Sequence, residues 1–172
     1  MNIESYQIRV PTAVLRDLRQ RLKRTRWPDE IHGAGWDYGA NLGYIKELVE
    51  YWLESFSWRR WERKLNTLPQ FKANVNGNGI HFVHQQGKGP SPLPLMLIHG
   101  WPGSFFEMYK IIGPLSDPAK YGGDPADAFH IVVPSLPGYG FSDRPQEPGM
   151  NITRMAGLFR DLMCTLGYDR FG

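Results

Sequence analysis

The residues best suited to chemistry run His99-Gly100-Trp101-Pro102-Gly103-Ser104-Phe105. They follow an apolar stretch, Leu95-Met-Leu-Ile98, and open a segment with helix-start character. The turn after a buried strand is where open α/β sheets place ligands. Gly100 and Gly103 let the backbone turn tightly and come close to a ligand. Helix-start N–H groups lack an acceptor within the helix. Such a turn can hold an anion, or an oxyanion forming during a reaction, on backbone donors. An ordinary strand-to-helix turn with a Gly-Pro break fits the same letters, so the segment alone names no reaction. His99 is read as shaping the loop, because a general base would need a nucleophile within reach.

Other chemistry-bearing groups read as structural. His81 and His84 lie three apart in a strand pattern, so they face opposite sides and make a poor metal pair. Arg16, Arg19, Arg21, Lys23, Arg24 and Arg26 form the solvated face of an amphipathic helix. Trp52, Trp58 and Trp61 fall at helical spacing and are assigned to core packing. Asn151-Ile-Thr153 is a glycosylation sequon with no leader to give it meaning. Cys164, the one cysteine, has no histidine near it and reads as a packing residue. No residue set suggests a metal or cofactor.

Positioning the turn requires the elements around it. The first 66 residues are helical in pattern. Val14, Leu15, Leu18 and Leu22 mark a helix from Thr12 to about Arg24. Asn41 caps a second, striped by Ile45, Leu48, Val49, Trp52, Leu53 and Phe56, and Trp58 to Leu65 forms a third. The period then changes to two. Phe71, Ala73 and Val75 alternate, as do Ile80 and Phe82, around Asn76-Gly77, which predicts a hairpin. A Gly/Pro linker, 87–94, leads to the apolar strand 95–98, expected to be buried on both faces as in a parallel sheet. Ser104 and Glu107 suit a capping box for a helix ending near Gly113-Pro114. Phe129 to Val133 is a second buried strand, giving a βαβ unit. A last helix runs from about Thr153 to Leu166, stopped by Gly167.

The 172 residues are 41% apolar and 13% aromatic, with six tryptophans, which excludes a disordered chain. A net charge of +3 is too weak to argue for nucleic acid, and no apolar run approaches a bilayer's width. A lone cysteine excludes a disulfide framework and points to a reducing, cytoplasmic setting.

His99-Gly-Trp-Pro-Gly-Ser104 after an apolar strand resembles the oxyanion loop of the epoxide hydrolases of the α/β-hydrolase fold. Pro134-Ser-Leu-Pro-Gly-Tyr-Gly-Phe-Ser142 is similar to that family's second signature. Arg26-Trp-Pro28, Trp36-Asp-Tyr-Gly39, Tyr51-Trp52, Phe56-Ser-Trp58, Trp61-Glu62, Leu65-Asn66 and Ile80-His-Phe82 resemble the N-terminal region of its microsomal-type members. The resemblance implies an α/β fold: a helical N-terminal arm with a hairpin over 1–90, then the first strands and helices of an incomplete hydrolase core over 91–172. It implies hydrolysis of small apolar epoxides to vicinal diols through an Asp ester, with two lid tyrosines as acids and a His-activated water. No metal or cofactor takes part. It implies that the Trp101 N–H is an oxyanion donor within a loop made by His99, Gly100, Pro102 and Gly103, that this N–H is free of intramolecular partners, and that the Trp101-Pro102 bond is cis.

The nucleophile elbow, lid and catalytic His of that family would lie beyond Gly172. Asp143 and Asp161 sit in a loop and a helix and make poor substitutes, and no Gly-x-Ser-x-Gly occurs. The chain alone is therefore expected not to turn over epoxides. Its open sheet is expected to call for the remaining C-terminal part or for a second copy. A dehalogenase or esterase of the same fold, or a non-catalytic binding module, are the alternatives.

Overall fold

The computed structural model describes residues 2–172. They form two compact units: Ile8–Leu65, and residues 2–7 together with Asn66–Gly172.

The first unit is helical, with α1 (Thr12–Lys23), α2 (Leu42–Glu54) and α3 (Trp58–Leu65). Asn41 Oδ1 accepts the Tyr44 N–H at 2.9 Å and starts α2. Glu62, on α3, is a buried anchor. It accepts the Val10 N–H at 2.7 Å, the Trp58 indole N–H at 3.2 Å and an Arg59 guanidinium N–H at 2.6 Å. Burial alone would raise its carboxyl; the Val10 and Arg59 donors outweigh that and hold it below the usual carboxylate range. The helices match the periodicity, but the assignment of Trp52 to core packing needs correction. Neither α1 nor α2 buries a residue, and Val14, Leu48 and Trp52 stay exposed.

The second unit is a five-stranded sheet in the order β1-β2-β3-β5-β4. Its strands are β1 (Ile3–Ser5), β2 (Gln70–Val75), β3 (Asn78–Gln85), β4 (Leu93–Met96) and β5 (Phe129–Pro134). β1, β2 and β3 run antiparallel, β5 joins β3 antiparallel, and β4 joins β5 parallel. Asn76 and Gly77 both have positive φ, as a two-residue hairpin turn requires. Ala73, Val75, Ile80, Phe82 and Val132 face Leu158, Phe159, Leu162 and Met163 of α5 (Ile152–Thr165), and this is the main core. Each of these side chains larger than alanine contributes about 1.5–3 kcal/mol on removal from water.

Two expectations change, those for the first apolar strand and for the helix after the turn, and the sheet gains a strand. The short β1 had no visible pattern. The first apolar strand, β4, is the sheet's edge and only half-buried, because β5 inserts between it and β3. Gly172 runs beside the outer edge of β4: its N–H donates to the Pro94 carbonyl at 3.1 Å and its carbonyl accepts from the Met96 N–H at 2.9 Å. The helix after the turn is broken into a 3₁₀ turn, Phe105–Met108, and α4, Ile112–Ser116. Pro114 sits in the first turn of α4, where an N–H has no helical acceptor. Finally, the hairpin belongs to the sheet, so the compact units part after Leu65, whereas a division at residue 90 follows the sequence motifs.

The Gly/Pro segment after β3 is also more than a linker. A Cβ on Gly87 would stand 2.6 Å from the Phe129 carbonyl oxygen, and one on Gly89 2.2 Å from that of Pro125. Both glycines let the chain pass against the approach to β5.

Candidate active site

The turn 99–104 leaves the C-terminal end of β4. Its Trp101-Pro102 peptide is cis, and the Gly103 N–H closes the turn on the Gly100 carbonyl at 2.8 Å. The Trp101 N–H has no hydrogen-bond acceptor among the described residues, and the Trp101 side chain is 82% exposed. The turn thus presents the Trp101 N–H as a free backbone donor just beyond the end of a parallel strand. That is the geometry a backbone oxyanion donor needs.

His99 fixes the turn from below. It is buried, and its Nε2 accepts the Leu136 N–H at 3.1 Å. The ring proton therefore sits on Nδ1, 3.2 Å from the Gly100 carbonyl oxygen. A neutral ring so bound on both sides spans the turn and the loop after β5; it has no nucleophile beside it. The Tyr139 ring packs edge-on against it.

Ser104 caps the 3₁₀ turn by accepting the Phe106 N–H at 3.3 Å. The expected capping box is half made. Glu107 lies over Gly103, with its carboxylate in the space a Cβ there would take.

The loop 135–143 forms the second wall. Ser142 Oγ donates to the Ser135 carbonyl at 2.8 Å and accepts the His81 N–H at 3.0 Å. Gly140 has φ +51° and packs on Ser135.

The Asp143 and Asp161 carboxylates lie elsewhere. Asp143 pairs with Lys72 at 2.6 Å, and Asp161 binds Arg160 and Asn76. Gly35-Trp-Asp37-Tyr-Gly39 spells an elbow-like Gly-x-Asp-x-Gly, which a scan by letter would find. It lies exposed in the loop before α2, with no strand leading into it. His81 and His84 do point to opposite faces: His84 Nε2 lies 2.8 Å from the Tyr168 hydroxyl, whereas His81 is wholly buried on the loop side. No group of three or more His, Cys, Asp or Glu side chains among the described residues could hold a metal ion.

Comparison with known proteins agrees with this architecture. Residues 3–108 match the model of the epoxide hydrolase N terminus, and residues 94–172 match the alpha/beta hydrolase fold. A relative from Stigmatella aurantiaca is 45% identical over 98% of this chain, which spans 38% of that relative. Epoxide hydrolase 1 of Oryctolagus cuniculus is 38% identical over 99% of the chain, again spanning 38% of its length. The crystal structure of juvenile hormone epoxide hydrolase from the silkworm Bombyx mori superposes with a TM-score of 0.86 at 33% identity, covering 99% of this chain and 40% of that one. The Aspergillus niger epoxide hydrolase structure gives 0.84 at 31% identity, covering 97% of this chain and 44% of that one. The turn, the strand that carries it and the helical unit before them all fall within these matches: the chain belongs to the epoxide hydrolase family and corresponds to the N-terminal part of its members' α/β-hydrolase fold.

Proposed function

We propose that this chain supplies the oxyanion-donor half-site of an enzyme that adds water to small apolar epoxides and releases vicinal diols. The observation that carries the reading is the unpartnered Trp101 N–H on a turn held by His99. An ester formed on an Asp would pass through a tetrahedral oxyanion as water attacks it. A fixed backbone donor stabilises that charge more than it stabilises the planar ester. The Asp nucleophile, its acids and the His that activates water come from sequence that these 172 residues do not contain. A cytoplasmic setting, consistent with the single Cys164, and a role in clearing reactive epoxides belong to the same proposal.

The test is to purify the native protein from its source, take its intact mass and read the residue at the turn after the next strand. An Asp there, together with diol release from styrene oxide, is the expected result. A Ser at that turn would overturn the proposal in favour of an esterase.

A further inference from the structure

The polar side chain most deeply placed beneath the turn is His81, which the oxyanion reading does not use. It is fully buried on β3. Its Nδ1 lies 2.9 Å from Ser135 Oγ and its Nε2 3.0 Å from Gln70 Oε1. The Gln70 amide nitrogen donates to Asn66 Oδ1 at 3.4 Å, so the Gln70 oxygen faces the ring and takes its proton. His81 is therefore protonated on Nε2 and accepts the Ser135 O–H on Nδ1. Three aromatic rings enclose it: Tyr6, Phe105 and Phe141 stand edge-on, with centroids 5.1, 5.0 and 5.4 Å away. Ser135 immediately precedes Leu136, whose N–H is held by His99. Phe105 immediately follows the turn residue Ser104.

We propose that His81 is the positioning residue of the Trp101 turn. It grips Ser135 by a hydrogen bond and Phe105 by ring packing, while His99 grips the next residue, Leu136, in the opposite tautomer. Two neutral imidazoles thus clamp consecutive residues of one loop and set the turn between them. Apolar packing alone would leave the Ser135 hydroxyl and the Gln70 carbonyl without these partners, which is costly in a buried site.

The inference rests on reading the turn as the oxyanion donor, but its readouts need no substrate, so the two stand or fall separately. The first uses the unmodified, ¹⁵N-labelled chain. Long-range imidazole spectra should show His81 protonated at Nε2 and His99 at Nδ1; His81 protonated at Nδ1 would overturn the proposal. The second is amide exchange in His81→Leu and His81→Asn. The Gly103 and Leu136 amides should exchange roughly tenfold faster in His81→Leu, while those of Phe159 and Leu162 in α5 keep their rates. His81→Asn, which retains an acceptor toward Ser135, should return both to within about twofold. Unchanged Gly103 and Leu136 rates in His81→Leu, or equal acceleration in α5, would show that His81 merely fills the core. Should His81→Leu fail to fold, the tautomer measurement still decides.

Discussion

A methyl group at Gly140 has no room. The residue sits at φ +51°, and a Cβ there would stand 2.5 Å from the buried Ser135 Oγ. Gly140→Ala is expected to cost about 2 kcal/mol or more, seen as a lower urea midpoint with an unchanged slope. His81 gives a pH signature at the same scale. Burial, with the charge of Lys72 adding to it, pushes its imidazole down to about 3. Unfolded, it titrates near the ordinary histidine value of about 6.5. Between those values the unfolded chain binds the extra proton. The stability due to neutral His81 is therefore complete above pH 6.5 and lost as pH falls toward 3, by up to about 1.4 kcal/mol per pH unit. Denaturant titrations between pH 7 and 4 should show that slope, and His81→Asn should flatten it. The turn residues 99–103 were legible because a Gly-Trp-Pro-Gly pattern after an apolar strand is local. The part played by His81 was not, because its partners lie far off in sequence or in another element: Gln70 in β2 and Ser135 in the loop after β5.

At the scale of elements, Asn41 and Gly89 mark the extremes of what sequence displays. Asn41 was readable as a cap, and its Oδ1 does accept the Tyr44 N–H. Asn41→Ala should cost about 1 kcal/mol and weaken the helical signal of α2 in circular dichroism. Gly89 looked like part of a flexible linker, yet a Cβ there would press into the Pro125 carbonyl and Ala128. Gly89→Ala is expected to be the harsher change, lowering the melting temperature by several degrees for roughly 2 kcal/mol lost. The hairpin, α3 and α5 were legible because periodicity and turn chemistry are written within a few residues. The place of β4 was not. An apolar run of four residues does not say whether a later strand will lie beside it or insert between it and the preceding one.

The whole molecule couples a hairpin-and-helix core to a sheet whose outer strand, β4, is bonded by Gly172 at Pro94 and Met96 and bears no further strand among the described residues. Leu93, at the start of that strand, and Ile98, two residues beyond its end, are 65% and 50% exposed. Surfaces of this kind associate. Sedimentation of the 172-residue chain should show mass rising with concentration, and Ile98→Lys should shift it toward the monomer. The same chain should release no diol from styrene oxide or a stilbene oxide above the uncatalysed rate, checked by chromatography of the products. Turnover by the pure chain would mean that one of its own side chains acts as the nucleophile.

The strand order carries a consequence for synthesis. A ribosome delivers β4 before β5, yet among the described residues β5 is the one strand that β4 pairs with. While the chain from Leu97 to Ala128 emerges, the nascent hairpin and β4 have no ladder in common. The Trp101 turn is therefore made early and seated late, when β5 slides in beside β3 and brings Ser135 and Leu136 up to the two waiting imidazoles. A pause in translation shortly before Phe129 would hold the Trp101 turn unanchored, at the stage when a chaperone has most to grip.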